Sequence, residues 1–191
     1  MGTPSCPWPF CFWRDLMNIV LIGYRAVGKS TLGRLLAHEL GMKFLDTDTL
    51  LGNKIGEDIE SYVKKNGWQA FRKLECEVLQ SLIGIDRHVI ATGGGVVDVI
   101  QNLEILRSLG HVIWLKAPIN RILERLKQNP RPPLLCGVPE KEVKLMLPKR
   151  IPLYMKAADL VLDTGDLDLK EASKLLRLLI QDLISGGACA R

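Results

Sequence analysis

The sequence predicts an α/β fold in which one parallel sheet carries helices on both faces. Short apolar runs, typical of buried strands, alternate with stretches of helical periodicity along most of the chain. A glycine-rich turn ending in Gly-Lys-Ser follows the first apolar run and opens the first helical stretch. Parallel strands need crossover connections, and helices in those connections cover the two faces of the sheet. The length of 191 residues suits one domain that buries most of its apolar surface.

The first half of the chain supplies three strand candidates. The run Asn18–Ile22 is short, apolar and ends at a glycine, as a buried strand does. Leucines at 32, 35, 36 and 40 then recur with helical spacing, and Gly41 is placed to end that helix. The next predicted elements are a strand over 43–45, helices over about 50–65 and 68–82, and a strand over 89–92.

The second half supplies two more strands and the closing helix. Apolar runs at 112–115 and 158–162 are predicted to be the fourth and fifth strands, and a helical pattern through Ile122 and Leu126 lies between them. Asp168 and Glu171 are placed to cap a final helix. The apolar stripe of that helix consists of Ala172, Leu175, Leu176, Leu179, Ile180 and Leu183.

Composition and charge narrow the classes of function. No apolar run approaches the roughly 18 residues that a membrane span needs. The formal charge of +5 comes from basic residues scattered over predicted helices, which argues against nucleic-acid binding. Five cysteines without a CxxC pair favour free thiols in a reducing compartment. We therefore expect a cytoplasmic monomer with small-molecule ligands and with neither nucleic acid nor a membrane as partner.

Residues 1–16 differ in composition from the rest of the chain. Three prolines interrupt a short aromatic stretch there, and the basic start, apolar core and cleavage site of a secretory signal are missing. We predict an irregular N-terminal arm or a non-native extension, without assigning it a function. Residues 17–191 are predicted to form the single folded domain.

The turn over residues 23–30 matches the pattern G-x4-G-K-[ST]. Its glycines allow backbone N–H groups and the following helix N-terminus to point at phosphate oxygens. Lys29 supplies a mobile positive charge for the β- and γ-phosphates, and the Ser30 hydroxyl can ligate Mg²⁺. The turn strongly predicts binding of a nucleoside triphosphate but says little about a second substrate.

Two carboxylates, Asp46 and Asp48, follow the second predicted strand. The carboxyl ends of parallel strands are where ligands bind, so these residues should lie near the phosphates. One carboxylate there can orient an acceptor hydroxyl and take its proton, while its neighbour can hold a water of the Mg²⁺ shell. An Asp-x-Asp pair is otherwise more often a turn or a helix cap.

Three arginines are candidates for binding anionic groups. Arg72 is three residues before Glu75 on a predicted helix, which would orient its guanidinium, although a plain surface ion pair has the same spacing. Arg131 lies in a proline-rich segment. This segment could be a flap that closes over a transferring phosphate, or a loop whose arginine is solvated. Arg150 lies further along, at what could also be a helix end. Arg72 and Arg150 suggest a clamp for a substrate carboxylate.

Glycines 93–95 follow the third predicted strand, where they can bring backbone N–H groups close to a ligand or form a tight turn. Together with the motifs above, these glycines make the sequence resemble the shikimate kinase family of P-loop small-molecule kinases. The resemblance runs from Asn18 to about Leu183, and its blocks beyond the generic phosphate turn are residues 46–48, 71–72 with Glu75, 93–95, 131–132 with Leu134, and Arg150 with 152–154.

The resemblance implies a fold and an activity. The fold is a three-layer α/β/α arrangement like that of P-loop nucleoside triphosphate hydrolases, with a five-stranded parallel sheet in the order 2-3-1-4-5 and a lid. The activity is transfer of the γ-phosphate of ATP to the 3-hydroxyl of shikimate, with Mg²⁺ as cofactor. The same step serves chorismate and aromatic amino acid biosynthesis.

The resemblance also implies roles for individual residues. Asp48 would bind the hydroxyls of shikimate and accept the proton, Arg72 and Arg150 would hold its carboxylate, and Gly93, Gly94 and Gly95 would line the pocket. Arg131 would act from the lid together with Lys29, and Ser30 with Asp46 would serve the metal. The implied ATP-binding residues are Gly23, Ala26, Val27, Gly28, Lys29, Ser30, Thr31, Arg125, Arg131 and Asp163, with Arg125 a candidate for stacking on adenine and Asp163 in the adenine loop.

This chain departs from the family pattern at two places. Ala26 stands where the family often has glycine, and we expect it to fit with a negative φ. The lid is short, with few basic residues besides Arg131.

Three other functions compete with this interpretation. A gluconate kinase or a nucleoside monophosphate kinase would share the phosphate turn. A guanine-nucleotide switch would need Asn-Lys-x-Asp after a strand, but Asn53-Lys54-Ile55-Gly56 lacks the aspartate.

Overall fold

A computed structural model describes residues 17–128 and 138–187. Its centre is a five-stranded sheet in which every neighbouring pair of strands is parallel, in the order β2-β3-β1-β4-β5. The strands are β1 Asn18–Ile22, β2 Lys43–Asp46, β3 His88–Ala91, β4 Gly110–Lys116 and β5 Leu160–Asp163. The predicted strand number, direction and order are therefore confirmed.

Helices cover both faces of the sheet. They are α1 Lys29–Leu40, α2 Thr47–Ile55, α3 Ile59–Ser81, α4 Ile100–Leu109, α5 Ile119–Gln128, α6 Pro139–Ala157 and α7 Leu169–Gly187. A short 3-10 turn, Val96–Asp98, connects β3 to α4. Within the described ranges, no helix combines the length and apolar character that a membrane crossing requires.

The side chains of β1 explain why the sheet has two cores. All five residues of this central strand are buried. Ile19 and Leu21 face a cluster that includes residues of α1 and α7, whereas Val20 and Ile22 face a cluster that includes residues of α3 and α4. Because alternate side chains of a strand point to opposite faces, an unbroken apolar run is what a strand covered on both sides requires.

The predicted helix over 50–65 is wrong. The chain leaves the helical conformation at Gly56, which has φ of 75°, and starts α3 with Asp58 as its N-cap. The predicted break between residues 65 and 68 is confirmed, because Gly67, with φ of 79° and ψ of 165°, is non-helical and separates two helical segments of α3. Glycine adopts such positive φ values without a steric penalty, so both changes of direction occur at glycines.

The helix ends that the sequence predicted with specific caps are confirmed. Gly41 follows α1 with φ of 63° and donates its N–H to the last turn of that helix. At α7, the Asp168 carboxylate accepts from the N–H of Glu171 at 2.8 Å, and the Glu171 carboxylate accepts from the N–H of Asp168 at 2.9 Å. This reciprocal pair is a capping box.

The topology gathers three loops at one edge of the sheet. The β1–α1 turn, the start of α2 and the glycines after β3 all follow the carboxyl ends of adjacent strands. This is the edge where ligands bind in open parallel sheets.

Candidate active site

The phosphate turn runs from the end of β1 into α1. Gly23 has φ of 138°, and a Cβ atom there would collide with the carbonyl oxygen of Leu115 on β4, so this position needs glycine. Gly28, with φ of 97°, is the N-cap of α1. The first N–H groups of a helix have no partner within the helix, so the start of α1 is suited to bind an anion.

Lys29 lies folded over this turn. Its ammonium group donates hydrogen bonds to the carbonyl oxygens of Gly23 at 2.8 Å and Tyr24 at 2.9 Å. The side chain is buried. Because the Lys29 ammonium group is already ordered over the turn, it can neutralise phosphate charge with little further loss of side-chain freedom.

Ala26 does not have the expected negative φ. Its φ is 63°, in the left-handed region that is costly for a residue with a Cβ atom. The carbonyl oxygen of Ala26 accepts a long hydrogen bond from Arg125 at 3.5 Å. The expectation for Ala26 was therefore wrong, and the turn carries local strain at this residue.

Ser30 and Asp46 lie beside each other below the turn. The Ser30 hydroxyl donates to Oδ2 of Asp46 at 2.7 Å, and Oδ1 of Asp46 accepts from the N–H of Asp48 at 3.0 Å as the N-cap of α2. Among residues 17–128 and 138–187, no group of three or more acidic, histidine or cysteine side chains forms a metal cage. A hydroxyl and one carboxylate do fit Mg²⁺, which keeps several waters and binds substrate phosphates.

Asp48 and Glu75 converge on Gly93. A Cβ atom at Gly93 would lie 2.8 Å from Oδ1 of Asp48 and 2.9 Å from Oε1 of Glu75, so only glycine leaves room for both carboxylates. The N–H of Gly93 donates to the hydroxyl of Thr47 at 3.1 Å. Burial raises the pKa of the Glu75 carboxyl, Arg72 opposes this shift, and the charge of Asp48 adds to it.

Arg72 is held by its own helix and by the glycine loop. Its Nη1 donates to Oε2 of Glu75 at 2.7 Å. The guanidinium lies directly against Gly95, where a Cβ atom would overlap it, and 5.4 Å from the ring centre of Trp68. The pair with Glu75 is thus not an exposed surface ion pair, because the Glu75 side chain is only 1% exposed.

Arg150 reaches the same place from α6. Arg150 lies in the interior of α6 and not at a helix end, and it is buried. Its guanidinium donates from Nε to Oδ1 of Asp98 at 2.8 Å and from Nη2 to Oδ2 at 2.7 Å, and Nη2 of Arg72 donates to that same Oδ2 at 2.9 Å. The two arginines therefore point at one carboxylate. Arg150 also lies 5.6 Å from the ring centre of Tyr24 in the phosphate turn.

Arg150 keeps its charge despite this burial. Burial alone would lower its pKa, but the hydrogen bonds to Asp98 and the nearby charge leave the pKa raised. The Tyr154 hydroxyl, one helical turn further along α6, donates to the carbonyl oxygen of Gly94. Burial raises the pKa of that hydroxyl well above its usual range, so it stays a donor. Together these contacts tie α6 to the glycine loop.

Arg125 and Thr164 connect the phosphate turn to the loop after β5. Arg125 donates to the carbonyl oxygen of Thr164 at 2.6 Å, and the Thr164 hydroxyl donates to the carbonyl oxygen of Val27 at 3.0 Å. Asp163 is exposed at the end of β5 and accepts from the N–H of Gly165 at 2.9 Å. Thr31 is exposed on the first turn of α1. Arg131 lies outside the described residues.

Sequence reasoning missed Asp98. It comes three residues after Gly95, at the end of the 3-10 turn, so an acidic residue just beyond a strand-end glycine loop was the available signal. Sequence reasoning also missed a buried contact between the phosphate turn and α6. Glu142 accepts from the Tyr24 hydroxyl at 3.3 Å and from Arg25 at 3.2 Å.

Comparisons with known proteins agree with this geometry. A family profile described as shikimate kinase matches residues 25–180. A shikimate kinase from Thermodesulfovibrio yellowstonii is 41% identical over 164 residues, covering 85% of this chain and 94% of that protein. A solved shikimate kinase from Acinetobacter baumannii, in complex with shikimate, has a TM-score of 0.83 at 34% identity, with 93% and 98% coverage. One from Aquifex aeolicus has a TM-score of 0.75 at 33% identity, with 87% and 97% coverage.

The fold and the site together define the general class of protein. A 2-3-1-4-5 parallel sheet with a phosphate turn between β1 and α1, and with acidic and basic side chains gathered beside it, is that of a P-loop kinase of small molecules. The matches over most of the chain are more specific. The chain belongs to the shikimate kinase family, whose members are ATP-dependent kinases.

Proposed function

We propose that this chain transfers the γ-phosphate of ATP to the 3-hydroxyl of shikimate, giving shikimate 3-phosphate for chorismate and aromatic amino acid biosynthesis. One observation carries the choice of acceptor. Arg72 and Arg150, 78 positions apart in the sequence, converge on a single carboxylate beside the phosphate turn. An acceptor that carries both a carboxylate and hydroxyls fits this arrangement.

On the nucleotide side, the phosphate turn binds the triphosphate through the N–H groups of residues 23–31 and the ammonium group of Lys29. Ser30 and Asp46 would hold Mg²⁺, with Asp46 acting through a water, and the metal when bound neutralises charge on the β- and γ-phosphates. Arg125 and Asp163 flank the adenine, an assignment supported by the hydrogen bonds of Arg125 to the loop after β5.

On the acceptor side, Asp48 orients the reacting hydroxyl and accepts its proton as the oxygen attacks the γ-phosphorus and ADP departs. Its position on the first turn of α2, beside Gly93 and across from the phosphate turn, supports this role. Gly93, Gly94 and Gly95 line the pocket, since their lack of side chains leaves room for the carboxylates and for Arg72. Arg72 and Arg150 hold the acceptor's carboxylate.

Further proposals rest on the sequence. Arg131, outside the described residues, stabilises charge on the transferring phosphoryl group together with Lys29. Residues 1–16 are an N-terminal arm or a non-native extension to which we assign no function, and residues 17–191 are the catalytic domain. The enzyme works as a monomer in the cytoplasm without nucleic acid or membrane partners, an assignment supported by its dispersed cysteines and scattered basic residues.

A coupled assay of ADP release tests the proposed function. With ATP and Mg²⁺ present, shikimate should stimulate release and yield the 3-phosphorylated product, whereas gluconate should not. Asp48→Ala is the matched variant, in which shikimate-stimulated turnover should fall by about 10²-fold or more because both orientation and proton acceptance are lost. Stimulation by gluconate and none by shikimate would overturn the choice of acceptor. Near-normal turnover of Asp48→Ala would remove Asp48 from its role.

A further inference from the structure

Asp98 occupies the position that the acceptor's carboxylate is proposed to take. Its Oδ2 accepts hydrogen bonds from Nη2 of Arg72 and Nη2 of Arg150, while its Oδ1 accepts from Nε of Arg150. We propose that Asp98 is an internal competitor for the acceptor. Its carboxylate pairs with the two arginines when no acceptor is bound. It moves away from them when the acceptor's carboxylate binds. This inference rests on the proposed function and adds to it a residue that sets the affinity for the acceptor.

The two acidic partners of Arg72 differ in their surroundings. The Glu75 side chain is 1% exposed, whereas the Asp98 side chain is 26% exposed. Moving a buried carboxylate away from its arginine leaves an unpaired charge in the protein interior, which is costly. The Asp98 carboxylate already contacts solvent, so it can exchange its arginines for water at a lower cost than Glu75 can. Glu75 is therefore the permanent partner of Arg72, and Asp98 is the exchangeable one.

The backbone around Asp98 is anchored, so only its side chain needs to move. The N–H of Asp98 donates to the carbonyl oxygen of Gly95 at 3.0 Å, closing the 3-10 turn. Val96 and Val97 are buried within that turn, and the Asn102 side chain donates to the carbonyl oxygen of Val96 at 2.8 Å. Rotation of the Asp98 side chain about its χ1 angle into solvent would leave all of these contacts in place.

Charge balance favours exchange over addition. Arg72 and Arg150 carry two positive charges, and the two carboxylates that they contact, Glu75 and Asp98, carry two negative charges. A third carboxylate added to this neutral group would leave one excess negative charge in a partly buried site. If Asp98 leaves, the acceptor's single negative charge restores neutrality. The fraction of molecules in which Asp98 is paired with the two arginines then lowers the apparent affinity for the acceptor.

A purely structural role for Asp98 is the opposite interpretation of the same contacts. If Asp98 served only to hold the arginines apart for the acceptor, its removal would disorder Arg72 and Arg150 and raise the acceptor KM. The two interpretations therefore predict changes of opposite sign in one measured quantity.

The test compares the acceptor KM, the ATP KM and kcat of the full chain with those of Asp98→Asn and Asp98→Ala. Both variants should lower the KM for shikimate by roughly threefold to fivefold, because the Asp98 carboxylate no longer competes for the two arginines. The change should fall on the shikimate KM and not on kcat, because the competitor acts before the transition state. Asp182→Asn is the matched control, since it removes an exposed carboxylate from α7 with the same change in net charge.

A second readout uses benzoate, a carboxylic acid without hydroxyls, as a competitive inhibitor against shikimate. Its inhibition constant should fall in both Asp98 variants by a similar factor and stay unchanged in Asp182→Asn. An unchanged or raised shikimate KM in folded Asp98 variants overturns the proposal. A lowered KM that Asp182→Asn reproduces also overturns it, because net charge then explains the effect. If the unmodified chain does not phosphorylate shikimate, the proposed function has failed instead.

Discussion

At the scale of single residues, Ala26 shows how the phosphate turn overrides local preference. Its φ of 63° lies where glycine is favoured, and a Cβ atom there costs on the order of 1–2 kcal/mol. Glycine would relieve this strain but would also add conformational freedom to the unfolded chain, which offsets about 0.4–1 kcal/mol. The strain should therefore exceed the entropy gained by the unfolded chain.

We accordingly expect Ala26→Gly to raise the free energy of unfolding by up to about 1 kcal/mol, as measured by urea denaturation without nucleotide. Ala37→Gly is the matched control. Ala37 is buried in the helix α1, so the same substitution there should lower stability by about 1 kcal/mol or more. Equal destabilisation by both variants would show that the turn at Ala26 is unstrained.

Glu75 makes a second prediction at this scale. Burial raises its pKa above the ordinary value of 4.5, although Arg72 opposes the shift. Below pH 4.5 the carboxyl is protonated in both the folded and the unfolded chain, so it contributes no difference. As pH rises above 4.5, the unfolded chain ionises first, and the folded state loses stability through the window up to its raised pKa.

Relative to Glu75→Gln, the unmodified chain should therefore lose stability as pH rises above the ordinary carboxyl pKa of 4.5. Urea unfolding at several pH values measures this difference. Glu77→Gln, two positions along α3, is the control with the opposite sign, because a hydrogen bond from Lys54 lowers the pKa of Glu77. A Glu75 difference that stays constant with pH, or that favours the unmodified chain as pH rises, would contradict the assigned direction.

At the scale of elements, the capping box of α7 is a local device that the sequence shows directly. α7 buries Leu176 and Ile180 against the core, and the Asp168–Glu171 pair satisfies the N–H groups at its start. Asp168→Ala should lower the free energy of unfolding by about 1 kcal/mol, the usual cost of a lost N-cap. Asp166→Ala, which removes only an exposed pair with Arg121, should change it by less than about 0.5 kcal/mol. Similar losses in both would mean that the cap contributes nothing.

The elements also show which features local patterns can predict. The strands other than β2 were predictable because each contains a short apolar run, and α1 was predictable because Gly41 marks its end. The boundary between α2 and α3 was not, because apolar side chains continue at helical spacing through Gly56, and an isolated glycine does not by itself distinguish a break from a tolerated residue. At Gly67 the predicted break between two helical segments of α3 is present.

The site shows the same division between local and tertiary information. The phosphate turn is one continuous segment, so its glycines and Lys29 were predictable from spacing. The contacts of Asp98 join it to Arg72, 26 positions away, and to Arg150, 52 positions away. No spacing rule connects these segments, because only the tertiary fold brings α3, α6 and the 3-10 turn after β3 together.

At the scale of the whole molecule, the strand order explains why one edge can serve two substrates. β1 lies between β3 and β4, so the phosphate turn after β1 is flanked by the glycine loop after β3. α6 then contacts both loops, because Arg150 lies against the Tyr24 ring in the phosphate turn and the Tyr154 hydroxyl donates to the carbonyl oxygen of Gly94. If Arg72 and Arg150 hold the acceptor's carboxylate as proposed, these contacts fix its position relative to the phosphate turn.

The central claim is that Arg72 and Arg150 bind the acceptor's carboxylate in a pocket shared with the phosphate turn. The most direct test compares kcat/KM of the unmodified chain for shikimate and for its carboxamide, which has the same shape without the negative charge. We expect the carboxamide to be phosphorylated at the same hydroxyl with kcat/KM lower by on the order of tenfold or more, mainly through KM, because a charge-assisted contact is lost. Equal kcat/KM values for the two acceptors would contradict the claim.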